Sequence, residues 1–213
     1  MKKIILAIVF ITSFSCKAQL PVLPLYKTSP LDATNGSYFK DLDNFHQQFV
    51  GTWLLNNGTT YLKVTFKKKP SFFYTDFFNI SYYVDYLIGE YEYKENGVTK
   101  VNTLSNIDIN HSNIYNYNLR SLFRLKKSMY PPCLTCNDNE GRLEMDFQEI
   151  PNRDPNWAAN ASFILRHVVE GGVEKLNVQF IMRDPAGAIP DALSGDEYEG
   201  FSLPFGDYVL TKI

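Results

Sequence analysis

Charge of one sign is missing from this chain of 213 residues: 21 Lys and Arg stand against 23 Asp and Glu, a formal charge of −2. Binding to nucleic acid needs a basic excess to meet phosphates, so a nucleic-acid partner is not expected. Long apolar runs are missing too. The longest, Ile4 to Ile11, has eight residues, where a membrane-spanning helix needs about 20. Gly (12) and Pro (11) are too few for a collagen-like or low-complexity chain. Cysteine and histidine number three each. No second C-x-x-C, H-E-x-x-H, H-x₃-H or G-x-S-x-G accompanies them, and no cofactor or metal is implied. What is abundant is aromatic surface: 16 Phe, 14 Tyr and 2 Trp within a 45% hydrophobic composition. That is enough to build the core of one large domain.

The amino terminus reads as an export signal. Lys2 and Lys3 precede the apolar run, and Thr12 to Ser15 lead to Cys16. The run is too short to span a bilayer, so residues 1–15 are expected to be a signal peptide. Ser13-Phe14-Ser15-Cys16 resembles a bacterial lipobox, with Ser13 where Leu is usual. The resemblance implies that Cys16 becomes a lipid anchor to the membrane. Ordinary cleavage after Ala18 is the alternative, giving a soluble periplasmic or secreted protein. The opening MKKIILAIVFITSFSCKAQ resembles exported proteins of the Bacteroidota. Lys17-Ala18-Gln19 lacks the acidic residues of surface-exported lipoproteins, which implies a periplasm-facing outer-membrane protein. Residues 16–36, with Pro21, Pro24 and Pro30, are expected to be a tether, leaving 37–213 as the domain.

Tyr38, Leu42, Phe45 and Phe49 lie on one helical stripe, predicting a short helix over 38–49. After Gly51 the period changes to two. Leu62, Val64 and Phe66 alternate with polar residues, as do Phe163 and Leu165, then Leu176, Val178 and Phe180. Asn57-Gly58, Asn96-Gly97 and Gly171-Gly172 are hairpin turns. On one strand Tyr82, Val84, Tyr86 and Ile88 share a face, with a bulge expected at Gly89. Leu119, Ser121, Phe123 and Leu125 form another strand in phase, and 68–79, 128–141 and 183–206 are expected loops. About nine strands joined by hairpins, without βαβ units, make the class all-β and antiparallel, closed into a barrel or sandwich so that edges are hidden.

Gly51-Thr52-Trp53, a G-x-W opening the first strand behind a short helix, is similar to lipocalins and related calycins. The resemblance implies a single antiparallel β-barrel, with Gly51 and Trp53 at its floor and Lys212 of the last strand stacking on the indole. It also implies a small apolar ligand, lined by residues such as Tyr82, Val84, Phe163, Leu165, Val178 and Phe180. Taken whole, the chain resembles an exported, lipocalin-like lipoprotein family of the Bacteroidota.

Cys133-Leu134-Thr135-Cys136 sits after Pro131-Pro132 and before Asn137-Asp138-Asn139, which is turn chemistry. With Cys16 lipidated, two cysteines remain, and an oxidising compartment favours one structural disulfide between Cys133 and Cys136 over a metal or redox site. His167 shares the inward phase of Phe163 and Leu165, His46 is expected in solvent, and Asp191, Asp196, Glu197 and Glu199 in a solvated loop. Phe72 to Phe78 is core packing at a barrel end or an aromatic rim or ligand wall; if exposed, it is an aggregation or docking patch. The amino-terminal signal and the lipobox resemblance imply an envelope protein, and the lack of a catalytic grouping a non-enzymatic one. It either holds an apolar ligand or has a filled core with working loops, its protein partner undefined. No nucleophile–base pair favours an enzyme.

Overall fold

The computed structural model describes residues 20–149, 161–183 and 201–213. The expected signal segment, Cys16 and the expected acidic loop with Asp191, Asp196, Glu197 and Glu199 lie outside them. Eleven strands are present among the described residues: β1 (Val22–Pro24), β2 (Tyr38–Lys40), β3 (Gly51–Asn56), β4 (Thr60–Thr75), β5 (Ser81–Glu95), β6 (Val98–Asn102), β7 (Leu119–Leu125), β8 (Arg142–Phe147), β9 (Ala161–Glu170), β10 (Val173–Met182) and β11 (Gly206–Lys212). Eight of them close a barrel in the order β5-β4-β3-β11-β10-β9-β8-β7, every neighbour antiparallel, and β7 returns to β5. The fold is all-β and lipocalin-like. Asn96-Gly97 and Gly171-Gly172 have positive φ at both positions, the turn geometry whose twist matches the flanking strands.

β5 organises the molecule. One edge pairs with β4 along its whole length. The other is divided among β2 (Tyr38↔Tyr83), β7 (Ile88↔Arg120, Gly89↔Leu119) and β6 (Glu92↔Asn102). Both faces are buried. Leu87, Tyr91 and Tyr93 point into the barrel, whereas Ile88 packs outside under Ile107, Ile114 and Tyr117. Tyr82 and Val84 also lie outside, against Ala33 and Phe39 of the amino-terminal arm. They are therefore not barrel-lining residues. Alternation could not separate the faces of a strand that is apolar on both.

Several local expectations change. No bulge falls at Gly89; Phe66↔Gly89 is a regular pair. A Cβ there would sit 2.6 Å from the Phe66 ring, so the missing side chain makes room for a core ring. The register shift lies instead on β4, between Lys69 and Phe72, where Pro70 cannot donate to the ladder and Ser71 takes φ 50°. Residues 68–75 are thus strand, not loop. A second shift between Ser121 and Phe123 turns Phe123 outward.

The expected helix over 38–49 is replaced in its first part by strand β2. Only Phe45–Phe49 forms a helix, a 3₁₀ turn immediately before the first barrel strand. Asn44, at φ 54°, breaks any continuous helix there. The Asp41 carboxylate accepts the N–H groups of Phe45 and His46 and starts the turn. The expected tether is structured from Leu20 onward: β1 pairs in parallel with β2, and Ala33 is buried.

Candidate functional site

The barrel interior is an aromatic cluster. Phe147 lies 5.1 Å from Phe163, 4.6 Å from Phe180 and 5.2 Å from Tyr91, ring centre to ring centre. These are contact distances for rings. Phe163, Leu165, Val178 and Phe180 all join this cluster. At one end Phe201 and Phe205 cover Phe180, at 5.7 and 4.7 Å. Their segment is held by the Glu149 carboxylate, which accepts the N–H and hydroxyl of Ser202.

The other end is the floor. The 3₁₀ turn crosses it, and the Trp53 indole N–H donates to the Phe49 carbonyl at 2.8 Å. Lys212 Nζ lies 5.3 Å from the Trp53 ring centre and 2.9 Å from Glu174. His167 meets the same indole edge-on and pairs with Glu174 at 3.0 Å. Gly51 opens the strand at φ 125°, with Lys212 Cε 3.2 Å from where a Cβ would be. The structure therefore gathers Gly51, Trp53 and Lys212 at one place. These contacts tie the first barrel strand to the last.

His46 was expected in solvent but is 1% exposed. Its Nε2 is 2.5 Å from the Tyr26 hydroxyl, and its Nδ1 is 3.7 Å from Asp41. Asp85 completes the group, accepting from the Tyr38 hydroxyl and from the N–H groups of Asp41 and Ser71. Only a residue contact from the arm, not sequence spacing, could have revealed this cluster. Burial pushes the His46 pKa down to about 4 against the pull of Asp41 and Asp85, with Lys68 adding to the fall. Burial also raises the Tyr26 phenol. Both groups are held neutral, which fits a structural joint rather than an acid–base pair.

This burial has a pH signature. Folded His46 stays neutral down to about pH 4, whereas unfolded it takes up a proton near its ordinary 6.5. Between those values the unfolded state binds more protons, so stability falls as pH drops, by roughly 2 kcal/mol at pH 5. Burial raises Glu90 and Asp146, which opposes the trend. The readout is therefore the difference between wild type and His46→Gln in urea unfolding at pH 7 and pH 5. The variant is expected to lose less stability on acidification.

Cys133 and Cys136 are joined by a disulfide. The loop around it is stapled twice. The buried Arg142 guanidinium donates to the carbonyls of Lys126, Met129 and Pro131 at 3.1, 3.0 and 2.7 Å. Arg166 binds Glu140 and the Thr135 carbonyl. Among the described residues, no group of three His, Cys, Asp or Glu side chains is placed to hold a metal ion.

Beyond the barrel, the β4–β5 hairpin projects to a turn at Asp76–Ile80. Phe72 is buried on the hairpin's outer cluster, but Phe77 is 88% exposed, Phe78 60% and Phe73 55%. The Phe77 and Phe78 rings lie against each other at 3.9 Å. Asp76 fixes the turn by accepting the N–H groups of Phe78 and Ile80.

Packed interior, tied floor and exposed aromatic edge define a closed β-barrel protein with an apolar tip. The chain belongs to a family of unknown function (DUF6705), which it matches over residues 1–213. No curated protein and no solved structure matches it.

Proposed function

We propose that this protein is a non-enzymatic lipoprotein of the bacterial envelope, periplasm-facing on the outer membrane, whose barrel is a scaffold and whose working parts lie outside it. The observation that carries the reading is the filled interior. Phe147, Phe163 and Phe180 touch one another and are fully buried. An apolar ligand would have to displace rings whose mutual contact already supplies the core. The lipobox-like Cys16 supports the anchor, and the G-x-W floor supports a lipocalin relation.

Native mass spectrometry of the mature protein from its own envelope tests the scaffold reading. The expected mass is polypeptide plus acyl chains on Cys16, with nothing else retained. An adduct of a few hundred daltons lost on denaturation would overturn the filled scaffold and favour a bound apolar ligand. Cys16→Ala is expected to move the protein into the soluble fraction. A wild-type protein already found there would remove the anchor.

A further inference from the structure

We infer that the tip of the β4–β5 hairpin is a membrane-docking edge, seated in the bilayer interface beside the lipid anchor. The inference rests on the anchor reading of Cys16. Three exposed phenylalanines at one hairpin end, Phe77 and Phe78 on the turn and Phe73 near the end of β4, are an unusual thing to leave in water, and such patches mark interaction sites. The place where the chain enters the fold identifies the occupant. Leu20, the first described residue, packs on Gly36, whose Cα region it approaches so closely that a Cβ would meet its Cδ2 at 2.7 Å. The Gly36 N–H donates to the Ser81 carbonyl at 2.8 Å, and the Asn35 side chain accepts the Ser81 N–H at 2.9 Å. Ser81 is the first residue of β5 and pairs with Thr75, the last of β4. The arm therefore begins at the root of the tip.

Four residue steps separate Cys16 from Leu20. Fully extended they reach about 14 Å at most. A lipid on Cys16 thus holds the bilayer surface within that distance of the hairpin root, on the side where Phe77 and Phe78 project. The tip is chemically suited to that surface. Between Phe72 and Tyr83 seven of the twelve residues are Phe or Tyr, and Asp76 alone carries charge. Its carboxylate is engaged by backbone N–H groups, which lowers the desolvation cost of seating the turn. Aromatic side chains favour the headgroup level, where a ring is buried and the polar backbone stays wet. Leu31, also exposed, lies on the same arm, two residues from Ala33, which packs in one cluster with Tyr82 of the hairpin.

The test places the mature full-length protein in vesicles of phosphatidylethanolamine and phosphatidylglycerol, with and without brominated acyl chains. Phe77→Trp puts an indole at the tip, and Thr59→Trp puts one at the far end of β4. Both positions are exposed, so folding is preserved. After subtraction of wild-type emission, the tip indole is expected to be quenched about twofold, as for a ring 5–10 Å into the interface. The far indole is expected to be unaffected. The mass of the amino-terminal peptide from the same preparation reports acylation. Acylation without tip quenching overturns the docking edge and leaves the anchor standing. Quenching without acylation supports the edge and overturns the anchor. A tip indole shielded from aqueous iodide only when a second protein is added overturns the bilayer as occupant.

Discussion

Phe147→Ala lowers stability by about 3–5 kcal/mol and the melting temperature by about 10 °C. The ring stands on the last residue of β8, in contact with Tyr91, Phe163, Phe180 and Phe201. These neighbours come from β5, β9, β10 and the segment before β11. A barrel wall closed by hydrogen bonds cannot collapse inward to fill the hole, so transfer and cavity terms both count. Urea unfolding followed by tyrosine and tryptophan fluorescence measures the change. A loss below about 1 kcal/mol would mean that the rings are loosely packed and the interior has room to spare, which returns weight to a ligand. The cavity itself offers a second readout: an apolar void of this kind stays dry and takes up benzene or xenon.

Arg142→Met is expected to cost about 2–4 kcal/mol, because three carbonyls lose the donor that one buried guanidinium supplies. Lys126, Met129 and Pro131 all accept from this one guanidinium. Methionine keeps an unbranched apolar stem but supplies no donor. The damage is local as well as global. Trypsin is expected to cleave after Lys126 and Lys127 in the variant under conditions that leave the wild type intact. The Cys133–Cys136 disulfide limits how far the freed loop can open, so reduction adds to the cleavage rate of the variant more than to that of the wild type. Equal cleavage of both proteins would show that Arg166 and the disulfide hold the loop alone.

The nine strands from β3 to β11 were legible because each is polar on one face or bounded by a two-residue turn. Trp53 and Lys212 were legible through the G-x-W pattern, and Phe163, Leu165, Val178 and Phe180 through simple alternation. What escaped was the amino-terminal arm and the outer faces it covers. β5 is apolar on both faces, so period two cannot say which set looks inward, and Tyr82 and Val84 face the arm rather than the barrel interior. The arm that covers them carries Pro21, Pro24 and Pro30, the composition of a linker. Its strand β1 is three residues long and pairs in parallel, which leaves no local pattern. His46 sits off the apolar stripe of the expected helix, of which only the 3₁₀ turn Phe45–Phe49 forms; its burial comes from Tyr26, twenty residues away. The hairpin's length was hidden by Pro70 and three lysines, of which Lys67 and Lys69 reach Asp108 and Asn110 of the outer segment.

The last barrel strand closes against the first: Thr211 pairs with Leu54 and Lys212 with Trp53. No earlier strand can substitute, since β10 and β4 take the remaining edges of that pair. A growing chain therefore has no complete barrel until β11 has been made. It leaves the ribosome as an open meander with the closing ladder unformed. The order of the strands thus makes closure of the wall the last ladder available to the growing chain.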